Sequence, residues 1–89
     1  MKVLIDKSFV RDTSEITNKK ILNSVGSCIE DIRDIGKLSD IPNCKKLKRS
    51  KNAYRIKIGD YRIGFVFEEQ TVIFIRFLHR SKIYQNFPQ

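Results

Sequence analysis

The chain has 89 residues, enough for one hydrophobic core and too few for two, so a single domain over residues 1–89 is expected. Its 18 Lys+Arg against 10 Asp+Glu leave a net charge of +8, which favours a polyanionic partner: nucleic acid, an acidic protein or an anionic membrane surface. Hydrophobic residues at 40% suit a folded globule, and neither a signal peptide's apolar run nor a membrane-spanning stretch is visible, so the expected location is the cytoplasm, off the membrane.

In chain order, KVLI at residues 2–5 is an apolar run suited to a short edge or inner strand. Asp6 or Ser8 then caps a short helix that begins near Phe9. Thr17 is the next capping candidate. After it Ile21, Leu22, Val25, Cys28, Ile29, Ile32 and Ile35 recur at three- and four-residue spacing, which predicts an amphipathic helix laid against a core, with Gly36 and Pro42 bracketing its end. The run KKLKRSK at 45–51 holds Leu47 as its only large apolar residue and reads as a basic, solvated connector.

The stretch YRIKIGDYRIGF at 54–65 predicts a hairpin turning at Gly59 and Asp60, because a two-residue hairpin turn needs φ > 0 at its first central position. Register follows: Ile58 opposite Tyr61, Ile56 opposite Ile63 and Tyr54 opposite Phe65 make one apolar face. The other face sets Lys57 against Arg62 and Arg55 against Gly64, although facing like charges destabilise a strand pair. Glu68–Gln70 is a polar turn. TVIFIRFL at 71–78 is apolar on both faces, as an inner strand should be. With a three-residue turn, Phe67 pairs with Thr71 and Arg76 comes opposite Arg62; a two-residue turn would send Arg76 toward the core. The tail HRSKIYQNFPQ has a helical turn's worth of residues and should fold back onto the sheet. The sum is an α+β domain of order β-α-α-β-β-β, a mainly antiparallel sheet with a helical hairpin packed on one face and basic side chains on the uncovered one.

Arg55, Lys57 and Arg62 converge on that basic face, and the last strand delivers His79 and Arg80, with Tyr84 a turn beyond. A cationic concavity with one phenol and one imidazole suits a phosphodiester, since guanidinium groups hold phosphate oxygens and stabilise the added charge of a pentacovalent transition state. A phosphate between Lys57 and Arg62 would account for their neighbourhood. The alternatives stay open: exposed Lys and Arg also solubilise a sheet face, and Tyr84 or His79 can simply pack. Cys28 and Cys44 are the only cysteines and, with one histidine, have no zinc-ligand spacing, so they read as structural and no metal is expected. The glycines are scattered, which leaves no phosphate-cradling loop and no cofactor.

Taken together, DKSFVRD after the first strand, the block KKLKRSKNAYRIKIGDYRIGFVF and the ending LHRSKIYQNFP resemble the RelE/ParE toxin superfamily over nearly the whole chain, and specifically its RelE-like messenger RNA endonucleases. The resemblance implies a type II toxin that inhibits translation by cutting messenger RNA in the ribosomal A site, through attack of the ribose 2′-hydroxyl on the adjacent phosphate, without a metal. By position, Arg55 stands where better-studied relatives have lysine, and arginine holds its proton more strongly, so the base role passes to Lys57. Arg62 matches the phosphate-binding arginine, Arg80 the arginine near the end of the last strand, and Tyr84 the tyrosine that stacks on or orients the scissile nucleotide, though the Arg80-to-Tyr84 spacing is shorter than in some relatives. His79 is a further acid or base candidate. Lys48, Lys51, Arg55 and Arg76 complete the implied RNA-binding surface. Implied partners are a cognate acidic antitoxin that folds on binding, and messenger RNA on the 70S ribosome with its ribosomal RNA. The alternatives are a ParE-like inhibitor of DNA gyrase and a noncatalytic basic module that binds RNA or antitoxin.

Overall fold

A five-stranded sheet of order β1-β5-β4-β3-β2 forms the centre of a computed structural model, which describes residues 1–88. The strands are β1 (Lys2–Ile5), β2 (Cys44–Lys46), β3 (Ala53–Ile58), β4 (Tyr61–Glu68) and β5 (Thr71–His79); the helices are α1 (Lys7–Ser14), α2 (Lys19–Asp34) and α3 (Ile83–Asn86). β1 runs parallel to β5 at one edge and every other pairing is antiparallel. β5 has a neighbour on each side, as its two apolar faces require.

α1 starts at Asp6, whose carboxylate accepts from the Ser8 backbone N–H at 3.1 Å and from the Ser8 hydroxyl at 2.6 Å. The cap of α2 is Asn18, one residue beyond the expected Thr17: its Oδ1 accepts from the N–H groups of Lys20 and Ile21 at 2.9 and 3.2 Å, which satisfies the first turn. The predicted stripe faces the sheet, with Val25 and Ile32 buried. Phe9 of α1 stacks on Phe74 at 5.4 Å and meets Phe77 edge-on at 6.1 Å, so both helices close one face over an aromatic centre.

The opposite face is not bare. Leu47, Ala53, Ile83 and Phe87 form a second buried cluster with Val66, Ile75 and Leu78 around it, because α3 and the tail fold back over the sheet. The 45–51 segment also departs from its reading as a solvated connector. Cys44–Lys46 pairs with Tyr54–Ile56 as β2, and Leu47 N–H donates to Ala53 O at 2.9 Å. The lysines give this strand no alternation to read; the open edge of β3 supplies its partner.

The first hairpin has the predicted register, with Lys57 opposite Arg62, Arg55 opposite Gly64, and Gly59 at φ 57. The second has a two-residue turn, Glu69 and Gln70, both at positive φ, so Glu68 pairs with Thr71 and Phe67 with Val72 in place of the expected Phe67–Thr71 pair. A register shift between Gly64 and Phe65 then sets Gly64 against Arg76 and leaves Ile75 unpaired. Leu78, and not Arg76, lies opposite Arg62. Arg76 is engaged by Asp12 of α1 through Nε–Oδ2 at 2.7 Å and Nη2–Oδ1 at 3.2 Å, while the Phe77 N–H donates to Oδ2 at 2.9 Å. Its guanidinium is thus committed to holding α1 on β5, which does not support the RNA-binding role expected of it. Among the described residues no helix is long and apolar enough to cross a membrane.

Candidate nucleic-acid interface

Pairing decides which cations share a face. Ala53, Arg55 and Lys57 of β3 lie on the side of the sheet that carries α3, together with their partners Val66, Gly64 and Arg62; Lys45 of β2 joins them by pairing with Arg55. The result is a row, Lys45, Arg55, Lys57 and Arg62, across three strands. α3 lies at one end of it, with Ile83 and Phe87 buried and Tyr84 57% exposed. Tyr84, Phe87, Arg55, Lys45, Lys46 and Lys48 line a cavity of about 340 Å³. The predicted Arg55, Lys48 and Tyr84 therefore come together. Lys45 and Lys46 were missed, and the signal that could have found them was the possibility that the KK pair forms a strand beside Arg55.

Arg62 is 8% exposed, against the expectation of an exposed charge. Its Nη1 donates to the carbonyls of Gly59 at 2.8 Å and Tyr61 at 2.9 Å, and its Nε is buried without a partner. Those carbonyls offset the neighbouring Lys57 charge without any phosphate. Arg62→Ala is accordingly expected to lower unfolding free energy by about 1–3 kcal/mol in urea titration, where an exposed arginine would change it by about 0.5 kcal/mol or less. A near-zero change would mean that the hairpin turn does not depend on the guanidinium.

Lys57 is exposed beside Arg62. Arg80 is exposed at the end of β5, its N–H on Asp60 O at 2.8 Å and its Nε 3.9 Å from Asp60 Oδ1, so it extends the row past the turn that Arg62 braces. His79 does not join them. It pairs with Tyr61, its ring meets the Tyr61 ring edge-on at 5.6 Å, and Tyr61 stacks on Phe77 in the helix-covered core. Its Nδ1 accepts from the Ser81 N–H at 3.2 Å. Lys51 lines another groove, of about 820 Å³, with Arg11, Arg49 and Arg76, and Phe87 borders both.

Cys28 and Cys44 are free thiols, and burial pushes both up to about 11, which keeps them protonated and unreactive at neutral pH, in keeping with a structural role. Among the described residues no three His, Cys, Asp or Glu side chains gather as metal ligands.

Residues 3–84 match the family described as the ParE toxin of the type II toxin-antitoxin system parDE. Toxin RelE3 of Methanocaldococcus jannaschii is 40% identical over 89 residues, 99% of this chain and 100% of that protein. The toxin in the crystal structure of the RelB-RelE antitoxin-toxin complex from Methanococcus jannaschii superposes with a TM-score of 0.81 at 36% identity, covering 96% of this chain and 99% of that one. The RelBE2 toxin-antitoxin complex from Mycobacterium tuberculosis, at 22% identity and a TM-score of 0.69 over 89% of this chain and 96% of that one, shares the fold. On the family match over residues 3–84 and the relative 40% identical over its whole length, the chain belongs to the RelE/ParE superfamily, as a RelE-family toxin of a type II toxin–antitoxin system.

Proposed function

We propose that this toxin is a ribosome-dependent endoribonuclease that cuts messenger RNA in the A site. The observation that carries the reading is the cavity in which an exposed phenol, Tyr84, stands beside Arg55 and the lysines of β2. In this reading Tyr84 stacks on a base next to the scissile bond, and Arg55, faced by Lys45, holds the non-bridging phosphate oxygens. Lys57, next on the same strand face, acts as the base through its free amine form, which takes the proton from the ribose 2′-hydroxyl. The 2′-oxygen attacks phosphorus, the P–O5′ bond breaks, and the leaving oxygen takes up a proton from water, which yields a 2′,3′-cyclic phosphate and a 5′-hydroxyl. Arg80, held by the turn that Arg62 braces, bears on the other end of the phosphate backbone. Substrate and site would place the protein in the cytoplasm.

Primer extension on messenger recovered after brief expression tests this. Cuts in register with the A-site codon support it. DNA damage without such cuts would support gyrase poisoning, a second reading favoured by the match of residues 3–84 to the ParE description. Neither outcome would leave a binding module. Because side-chain cations carry the charge stabilisation, cleavage on preassembled, stabilised ribosomal complexes is expected to persist in excess chelator; its loss, reversed by added metal, would overturn the mechanism. The relative of known structure at 36% identity was solved with RelB, and the net charge of +8 suits an acidic antitoxin laid over the cation row.

A further inference from the structure

We propose that Phe87, seated on Gly64, is the positioning residue that sets Tyr84 for the reaction; the inference rests on the endonuclease reading above. Tyr84 rides on a helix of four residues with no side-chain cap, too short to hold its own shape or direction. Its place is fixed by the buried residues that flank it, Ile83 at 0% and Phe87 at 3% exposure. The Phe87 ring lies on bare backbone. A Cβ at Gly64 would stand 2.6 Å from Cδ2 of the ring and 2.9 Å from Cε2 and Cγ, closer than atoms can pack.

Gly64 sits at the register shift with Phe65, a place where glycine is common, but that bulge alone does not require one. The φ of Gly64 is not positive, and a glycine inside a strand weakens the strand. Close approach of the ring is what the missing side chain permits. Gly64 is also the direct partner of Arg55, so the seat adjoins the cation that Tyr84 serves, and Phe87 walls the same cavity. A side chain at 64 would lift the ring off the sheet and carry Tyr84 away from Arg55. In this proposal Phe87, only 3% exposed, acts on the rate through Tyr84.

The test is a double-mutant cycle in single-turnover cleavage on programmed ribosomes, at saturating toxin and at a temperature where thermal unfolding finds every variant folded. Phe87→Ala and Tyr84→Ala should each slow cleavage by about fivefold or more, the low end of what a base–aromatic stack contributes. The double variant should be no slower than the slower single one. Multiplying losses would overturn the proposal. Gly64→Ala should match Phe87→Ala, and adding Phe87→Leu to it should restore part of the rate; no restoration counts against the seat. A second readout does not depend on catalysis. The chain contains no tryptophan, so Tyr84→Trp gives a sole reporter, and the surrounding cations should make iodide quench it strongly relative to neutral acrylamide. Adding Phe87→Ala or Gly64→Ala should lower that ratio, and an unchanged ratio overturns the positioning role. If the wild-type protein cuts no RNA, the endonuclease reading fails while the quenching ratio still decides whether Phe87 places residue 84.

Discussion

Asp12→Ala is expected to lower the unfolding free energy by about 3–5 kcal/mol, the usual loss when one partner of a buried ion pair is removed. Asp12 is 7% exposed and accepts from Arg76 Nε, Arg76 Nη2 and the Phe77 N–H. Alanine would leave a largely buried guanidinium and a buried strand N–H without partners at the place where α1 meets β5. In a domain whose whole stability is about 5–15 kcal/mol, that is a large share, and the melting temperature should fall by about 12 °C or more. Asp12→Asn keeps an acceptor for Phe77 and should lose less. Paired urea titrations of the two variants check this, and a loss under about 1 kcal/mol for alanine would show that water replaces the carboxylate at little cost.

Tyr84→Ala should slow cleavage by about 5- to 150-fold, the range that loss of a base–aromatic stack allows, and should weaken messenger binding with it. Tyr84→Phe keeps the stack and loses only the hydroxyl, which in the proposed complex lies near the reacting ribose, so binding should hold while the rate falls by a smaller factor. A packing role for Tyr84 predicts that phenylalanine behaves as wild type and that alanine loses stability in step with activity. The side chain is 57% exposed, so alanine there should change stability by about 0.5 kcal/mol or less. Single-turnover rates and thermal unfolding of the three proteins separate the two. Equal rates for tyrosine and phenylalanine would remove the hydroxyl from the mechanism, and an unchanged rate for alanine would remove Tyr84 from the site.

What could be read along the chain is what neighbouring residues determine for one another. The Gly59–Asp60 turn and the alternation on either side set the register of β3 on β4, including the facing Lys57 and Arg62. The spacing from Ile21 to Ile35 determined α2 and its buried face, and of the two cap candidates Asp6 and Ser8 the first caps α1, which starts at Lys7, two residues before the expected Phe9. The family mark HRSKIY named Arg80 and Tyr84, since it depends on residue type and order alone.

Tertiary structure decided what distant residues settle between them. β2 exists because β3 offers an open edge to a lysine-rich segment with no pattern of its own. The second hairpin turns on two non-glycine residues at positive φ, a conformation that no residue type there announces, and the register shift at Gly64/Phe65 re-aims Arg76. Asp12, 64 residues earlier, then pairs with that arginine. Arg62 is buried with its Nη1 held by the turn's own carbonyls. The cavity at Tyr84 forms where β2, β3 and the returning tail meet. Each of these is fixed by contacts between segments far apart in the chain, whose free energy outweighs local preference, and a reading that moves from one residue to the next contains no record of them.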